Sequence, residues 1–184
     1  MVNPAVTVCR LRGHRNVVGD ARRLAPAATA LVAGAVPGRM PPVEITVTGP
    51  RGLAELAVAA EVALAGGAAP ELRADALRDH GRLARSAAGC AVALPGGGVR
   101  ILLVGRAHRG IEDVAATLVH ELVHAMQFSR PGVRQRIVRD LRDAYGVAPQ
   151  SPQAAREHLR LIDEEEAEAY AAERLASQLF PLPA

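Results

Sequence analysis

His120-Glu121-Leu122-Val123-His124-Ala125-Met126-Gln127 is the stretch on which the reading of this 184-residue chain turns. A step of four residues along an α-helix advances about 6 Å and returns to nearly the same face. His120 and His124 therefore project side by side and can share one cation through their imidazole nitrogens. Glu121 falls on the neighbouring flank, where it can reach a water on that cation without being forced to ligate it. The pattern is short, and a shuffled chain of this composition carries it about once in a hundred. Context has to separate a metal centre from a coincidence.

The context predicts a buried helix. From Ile111 to Phe128 the apolar positions are Ile111, Val114, Ala115, Leu118, Val119, Leu122, Val123 and Met126. They cover more than half of the helix circumference, so most of this helix faces a core. Thr117 and Gln127 border the polar stripe that carries the histidines. Enclosing two imidazoles and a carboxylate with no partner costs several kcal/mol in desolvation. A bound Zn²⁺ removes that conflict, whereas a pair of solvated histidines would need an exposure that this helix does not offer.

A catalytic zinc takes three protein ligands and leaves one position for water. The third should come from another helix, and Asp163-Glu164-Glu165-Glu166-Ala167-Glu168-Ala169-Tyr170-Ala171 supplies the candidates. Leu161, Ala167, Ala171 and Leu175 recur at helical spacing, with Glu164 and Glu168 on or beside that line. Small alanines would let this helix approach the histidine helix closely, turning Glu164 inward and Glu165 to solvent. Glu166 is the competitor for the ligand position. The plainer reading of the run is a solvated charged face.

His-Glu-x-x-His followed by Glu164-Glu165-Glu166-Ala167-Glu168-Ala169-Tyr170-Ala171 resembles the gluzincin-type zinc metallopeptidases, and its second half is most similar to the ImmA/IrrE-type family. The likeness covers about residues 99 to 179. It implies His120, His124 and Glu164 as zinc ligands, Glu121 as general base, and Glu168 as a residue that orients a ligand histidine. It implies an α+β zincin-like fold, with a small mixed or antiparallel sheet packed on the histidine helix and a C-terminal glutamate helix. The activity implied is hydrolysis of peptide bonds in a protein substrate. In such peptidases the strand just upstream of the active helix, here Val99 to Val104, is the sheet edge that pairs with an extended peptide. Tyr145, His158 and Tyr170 are the candidates for stabilising the oxyanion, and the sequence does not choose among them. The rival reading is a catalytically silent zincin-like module that only binds proteins.

Composition narrows the classes further. All 22 basic residues are arginine, the net charge is only +3, and aromatic residues make up 2% of the chain. Arginines interleaved with acids, as in Arg139-Asp140 and Arg142-Asp143, and the lack of aromatic stacking platforms argue against a nucleic-acid partner. The most apolar stretch, 53 to 69, is interrupted by Glu55 and Glu61, so no membrane span is expected. No basic-then-apolar leader opens the chain. Cys9 and Cys90 then read as free buried thiols of a cytoplasmic protein. His14, His80 and His108 read as solvated or capping residues.

The remaining elements are predicted from periodicity and punctuation, and they complete a single domain over 1–184. Its N-terminal part, 1–88, holds a strand near 5–11, a helix between Gly19 and Pro42, a strand at Val43–Thr48, and helices at 51–65 and 71–87. The part from 89 to 184 holds a hairpin of 90–94 and 99–104 around Pro95-Gly96-Gly97-Gly98, the histidine helix, a helix at 133–145, and one long helix at 153–179 closed by Pro181 and Pro183.

Overall fold

The computed structural model describes residues 4–9 and 14–180. The ends of two sequence expectations, residues 10–11 of the first strand and the closing Pro181 and Pro183, lie outside them. In chain order the elements are β1 (Ala5–Val8), α1 (Arg15–Ala35), β2 (Val43–Thr48), α2 (Pro50–Ala65), α3 (Pro70–Leu83), β3 (Gly89–Ala93), β4 (Val99–Val104), α4 (Ile111–Phe128), α5 (Val133–Ala144) and α6 (Pro152–Ala172). The fold is α+β, with one mixed four-stranded sheet in the order β1-β2-β4-β3. No helix among the described residues is long and apolar enough to cross a membrane.

β1, β2 and β4 run parallel, with Val6 beside Ile45 and Ile45 beside Ile101, and β3 pairs antiparallel with β4. Val99-Arg100-Ile101-Leu102-Leu103-Val104 is an almost unbroken apolar run, as a strand buried on both faces requires. Ile101 and Leu103 face one core, Leu102 and Val104 the other. β4 is thus an inner strand. The expectation that Val99–Val104 forms the free edge is corrected: the edge strand beside it is β3, whose small residues Gly-Cys-Ala-Val-Ala have less apolar surface to bury.

The larger core lies between one sheet face and the helices α1, α4 and α6. Val17, Ala21, Leu24, Ala28 and Val32 give α1 an apolar stripe that packs on α4. Leu118, Val119, Leu122, Val123 and Met126 of α4 are fully buried there. Burial of each such side chain stabilises the fold by about 1.5–3 kcal/mol before entropy is subtracted. The smaller core lies on the opposite sheet face, where Leu53, Ala57 and Ala60 of α2 meet Leu102 and Val104. Sandwiched in this way, β3 and α4 are held at a fixed separation, and that fixes the site.

The C-terminal helix is shorter than its composition suggests. Ser151 caps α6 by accepting from the Ala154 N–H, and the α-helix ends at Ala172, giving way to 3₁₀ turns over Glu173–Leu179. The change of winding brings Leu175, Ala176 and Leu179 onto the main core.

Candidate metal centre

The buried phase of α4 leaves one polar stripe, and His120, Glu121 and His124 stand on it beside β3 and α6. The His120 and His124 Nε2 atoms are 3.1 Å apart. From α6, Glu166 brings Oε1 to 3.3 Å from His124 Nε2 and Oε2 to 3.5 Å from His120 Nε2. A tetrahedral zinc with bonds near 2.0–2.1 Å separates its donor atoms by about 3.3 Å. The two nitrogens stand close to that edge length, each approaches a different oxygen of the Glu166 carboxylate at a similar distance, and one donor atom from each of the three residues lies within 4.8 Å of the others.

The outer nitrogens of both rings fix the tautomers. Gln127, fully buried, donates its Nε2 to the Glu165 carbonyl (2.8 Å) and to Glu168 Oε2 (2.9 Å). Its Oε1 consequently faces His124 and accepts from Nδ1 at 2.8 Å. His120 Nδ1 donates to Glu173 Oε1 at 3.0 Å. Both Nε2 lone pairs are left pointing at each other and at a carboxylate. Three acceptors in that arrangement repel unless a cation or a proton lies among them. Two imidazoles and one carboxylate suit zinc among the common divalent ions.

Ionisation follows from the same contacts. Burial lowers the His120 pKa, and the neighbouring His124 lowers it further against the pull of Glu166 and Glu173. Burial also works against a charged His124, but the hydrogen bond and charge of Glu166, with the charge of Glu121, raise it overall. The hydrogen bond to His124 depresses Glu166 below the usual carboxylate range.

Glu121 is buried against β3. Desolvation pushes its carboxyl up to about 7, opposed by the His124 charge and the Ala91 backbone N–H. β3 begins with Gly89 for a steric reason. A Cβ there would lie 2.9 Å from Thr117 Cγ2, 3.1 Å from Glu121 Oε1 and 3.2 Å from the Leu102 carbonyl.

Of the residues singled out in the sequence, His120, Glu121, His124 and Glu166 come together and Glu164 does not. Glu164 lies on the outer surface of α6, its side chain 60% exposed and paired with Arg160 one turn back. The ligand reading of Glu164 is corrected by the phase of the helix. The inward line is His158, Ile162, Glu165, Ala169, Ala172 and Ala176, not Leu161, Ala167 and Ala171, and the last two of these are exposed. Glu165 is therefore not solvated: it is paired with the buried Arg136. Glu168 reaches Gln127 rather than a histidine, and Arg130 grips it at 2.6 and 2.7 Å.

Glu173 was missed in the sequence, although Glu166, Tyr170 and Glu173 follow the i, i+4, i+7 rule that would have grouped them. Tyr170, one of the three oxyanion candidates, is 64% exposed, with its ring 4.8 Å from that of His120. His158 is buried with both nitrogens engaged, Nδ1 by Arg136 and Nε2 by Asp140. Tyr145 donates to Glu61 Oε2 at 2.6 Å. His108, expected at the surface, is buried between the Val104 carbonyl and Thr117, and His80 pairs with Glu61 at 2.9 Å. The chain matches no protein-family model, no curated protein and no solved structure.

Proposed function

We propose that this protein is a zinc-dependent metallopeptidase with a zincin-like arrangement, hydrolysing peptide bonds of a protein or peptide substrate. The observation that carries the reading is the convergence of two Nε2 lone pairs and the Glu166 carboxylate, with ligand atoms within 4.8 Å of one another, beside a buried glutamate. His120, His124 and Glu166 would hold the ion, with Glu173 and Gln127 fixing the ring orientations from behind. When bound there, zinc supplies Lewis acidity to a substrate carbonyl and to a water molecule.

The chain's own groups do the rest. The Glu121 carboxylate takes a proton from the attacking water and delivers it to the leaving amine. Desolvation sharpens the transfer, because Glu121 is only 5% exposed. The outer edge of β3 pairs with the extended peptide and lays its backbone across the stripe. Tyr170 is the residue for the oxyanion. No hydrogen bond among the described residues engages its hydroxyl, whereas those of Tyr145 and both nitrogens of His158 are committed elsewhere.

The test is a Glu121→Gln variant assayed beside the wild type on a casein or unfolded-protein substrate. We expect one zinc per chain in both and a loss of about 10³-fold in hydrolysis in the variant. Equal zinc with no wild-type activity on any protein or peptide would leave the non-catalytic binding module as the better account.

A further inference from the structure

The cleft that contains the metal centre has a volume of about 570 Å³ and runs well past it, between β3 on one side and α2, α3, α5 and α6 on the other. Leu64, Leu83, Ile137, Leu141 and Ile162 line this extension, and none of them joins either hydrophobic core. A chain short of large apolar residues has thus left five aliphatic side chains facing a groove. The same bias shows at the surface. Leu83, Leu159 and Tyr170 are the exposed large hydrophobics among the described residues, and Leu83 and Tyr170 line this cleft.

The charged groups in the extension are closed on one another. Arg136 is held by Glu165 and His158. Glu61 is held by His80 and by the Tyr145 hydroxyl. A substrate arginine or glutamate entering here would have to break one of these pairs, and a partly buried ion left behind is costly. An aliphatic or aromatic side chain displaces only water from apolar walls. Opposite them, Ser86 to Ala93 is a run of small residues that leaves room for a second strand. The Cys90 thiol on that strand feels the charges of both Glu121 and Glu61, so the extension begins within electrostatic reach of the base.

We infer that the cleft selects an extended peptide carrying a bulky aliphatic or aromatic residue within two positions of the scissile bond, its side chain seated among Leu64, Leu83, Ile137 and Leu141. The inference rests on the peptidase reading for the place of the scissile bond. The binding preference is measured without turnover.

The experiment uses the zinc-loaded Glu121→Gln protein and fluorescein-labelled ten-residue Ala/Ser peptides that differ at one central position, followed by anisotropy. Leucine and phenylalanine peptides are expected to bind about tenfold more tightly than lysine, glutamate or alanine peptides. Adding Leu83→Glu, a substitution at a half-exposed position, should erase that advantage with the melting temperature unchanged. Leu141→Ala should weaken it in the same sense. Equal or tighter binding of the charged peptides, no binding of any peptide, or an apolar preference that survives Leu83→Glu overturns the inference. Wild-type digestion separates this from the preceding proposal. Apolar-selective binding without cleavage sinks the peptidase and leaves the pocket standing. Cleavage at bonds with no bulky apolar neighbour sinks the pocket and leaves the peptidase standing.

Discussion

α4 and α6 face each other across the candidate metal centre, and they differ in how firmly packing dictates their phase. α4 is buried on most sides, with ten buried positions from Val114 to Gln127. Turning it by one residue would expose several of them, so its polar stripe can lie in only one place. α6 has two buried positions, His158 and Ala169, and carries an external ladder of Glu157, Arg160 and Glu164. Its rotation is set by particular polar contacts, Arg136 with Glu165 and Gln127 with the Glu165 carbonyl. The lesson is that hydrophobic burial fixes one helix and a polar network fixes the other.

The largest expected effect breaks the comparison on the stability side. Leu122→Ala, within α4, should cost about 2–5 kcal/mol in chemical denaturation, since it opens a cavity at a fully buried site. Next comes the polar network. Gln127→Ala and Glu173→Ala each remove an outer partner of a ring nitrogen, and zinc affinity measured by chelator competition should fall about 10–100-fold in each. If either variant bound zinc as the wild type does, the tautomer argument would fail at that histidine.

A smaller effect is expected at the far end of the cleft. The hydrogen bond that His80 donates to Glu61 raises the His80 pKa, assisted by the charges of Glu61 and Asp79 against desolvation. A raised folded-state value means that the pair's contribution is fully present below the unfolded pKa near 6.5 and is lost as pH rises through the higher folded value. Glu61→Gln should therefore cost more stability at pH 5.5 than at pH 9, by about 1 kcal/mol or less. Part of any loss common to both pH values belongs to Tyr145, whose hydroxyl also bonds Glu61. The least sensitive site is the ladder on the outside of α6, where Arg160→Ala should move stability by less than about 0.5 kcal/mol.

The same contrast explains what could be read in the sequence. Ile111–Phe128 was legible to the residue because its apolar periodicity is unambiguous, and Val43–Thr48 because it alternates and is β-branched. The hairpin was legible from its glycine turn. The edge position was not, because strand order depends on pairings remote in sequence: Val43 with Val99 joins two segments that nothing local connects. Glu164 was expected to face inward because Ala167 and Ala171 mimic a packing stripe, while the inward line mixes His158, Ile162 and Glu165 with alanines. Buried polar residues hide a helix face from any reading based on hydrophobicity. His108 was taken for a solvated or capping residue for the same reason: its partners, the Val104 carbonyl and Thr117, are supplied by the fold.

Metal content of the purified protein and of two neighbouring variants tests the central claim most directly. Wild type and Glu164→Ala should each retain one zinc per chain after dialysis against a weak chelator, and Glu166→Ala should retain almost none. Zinc lost from Glu164→Ala and kept by Glu166→Ala, or no zinc in any of the three, would contradict the centre described above.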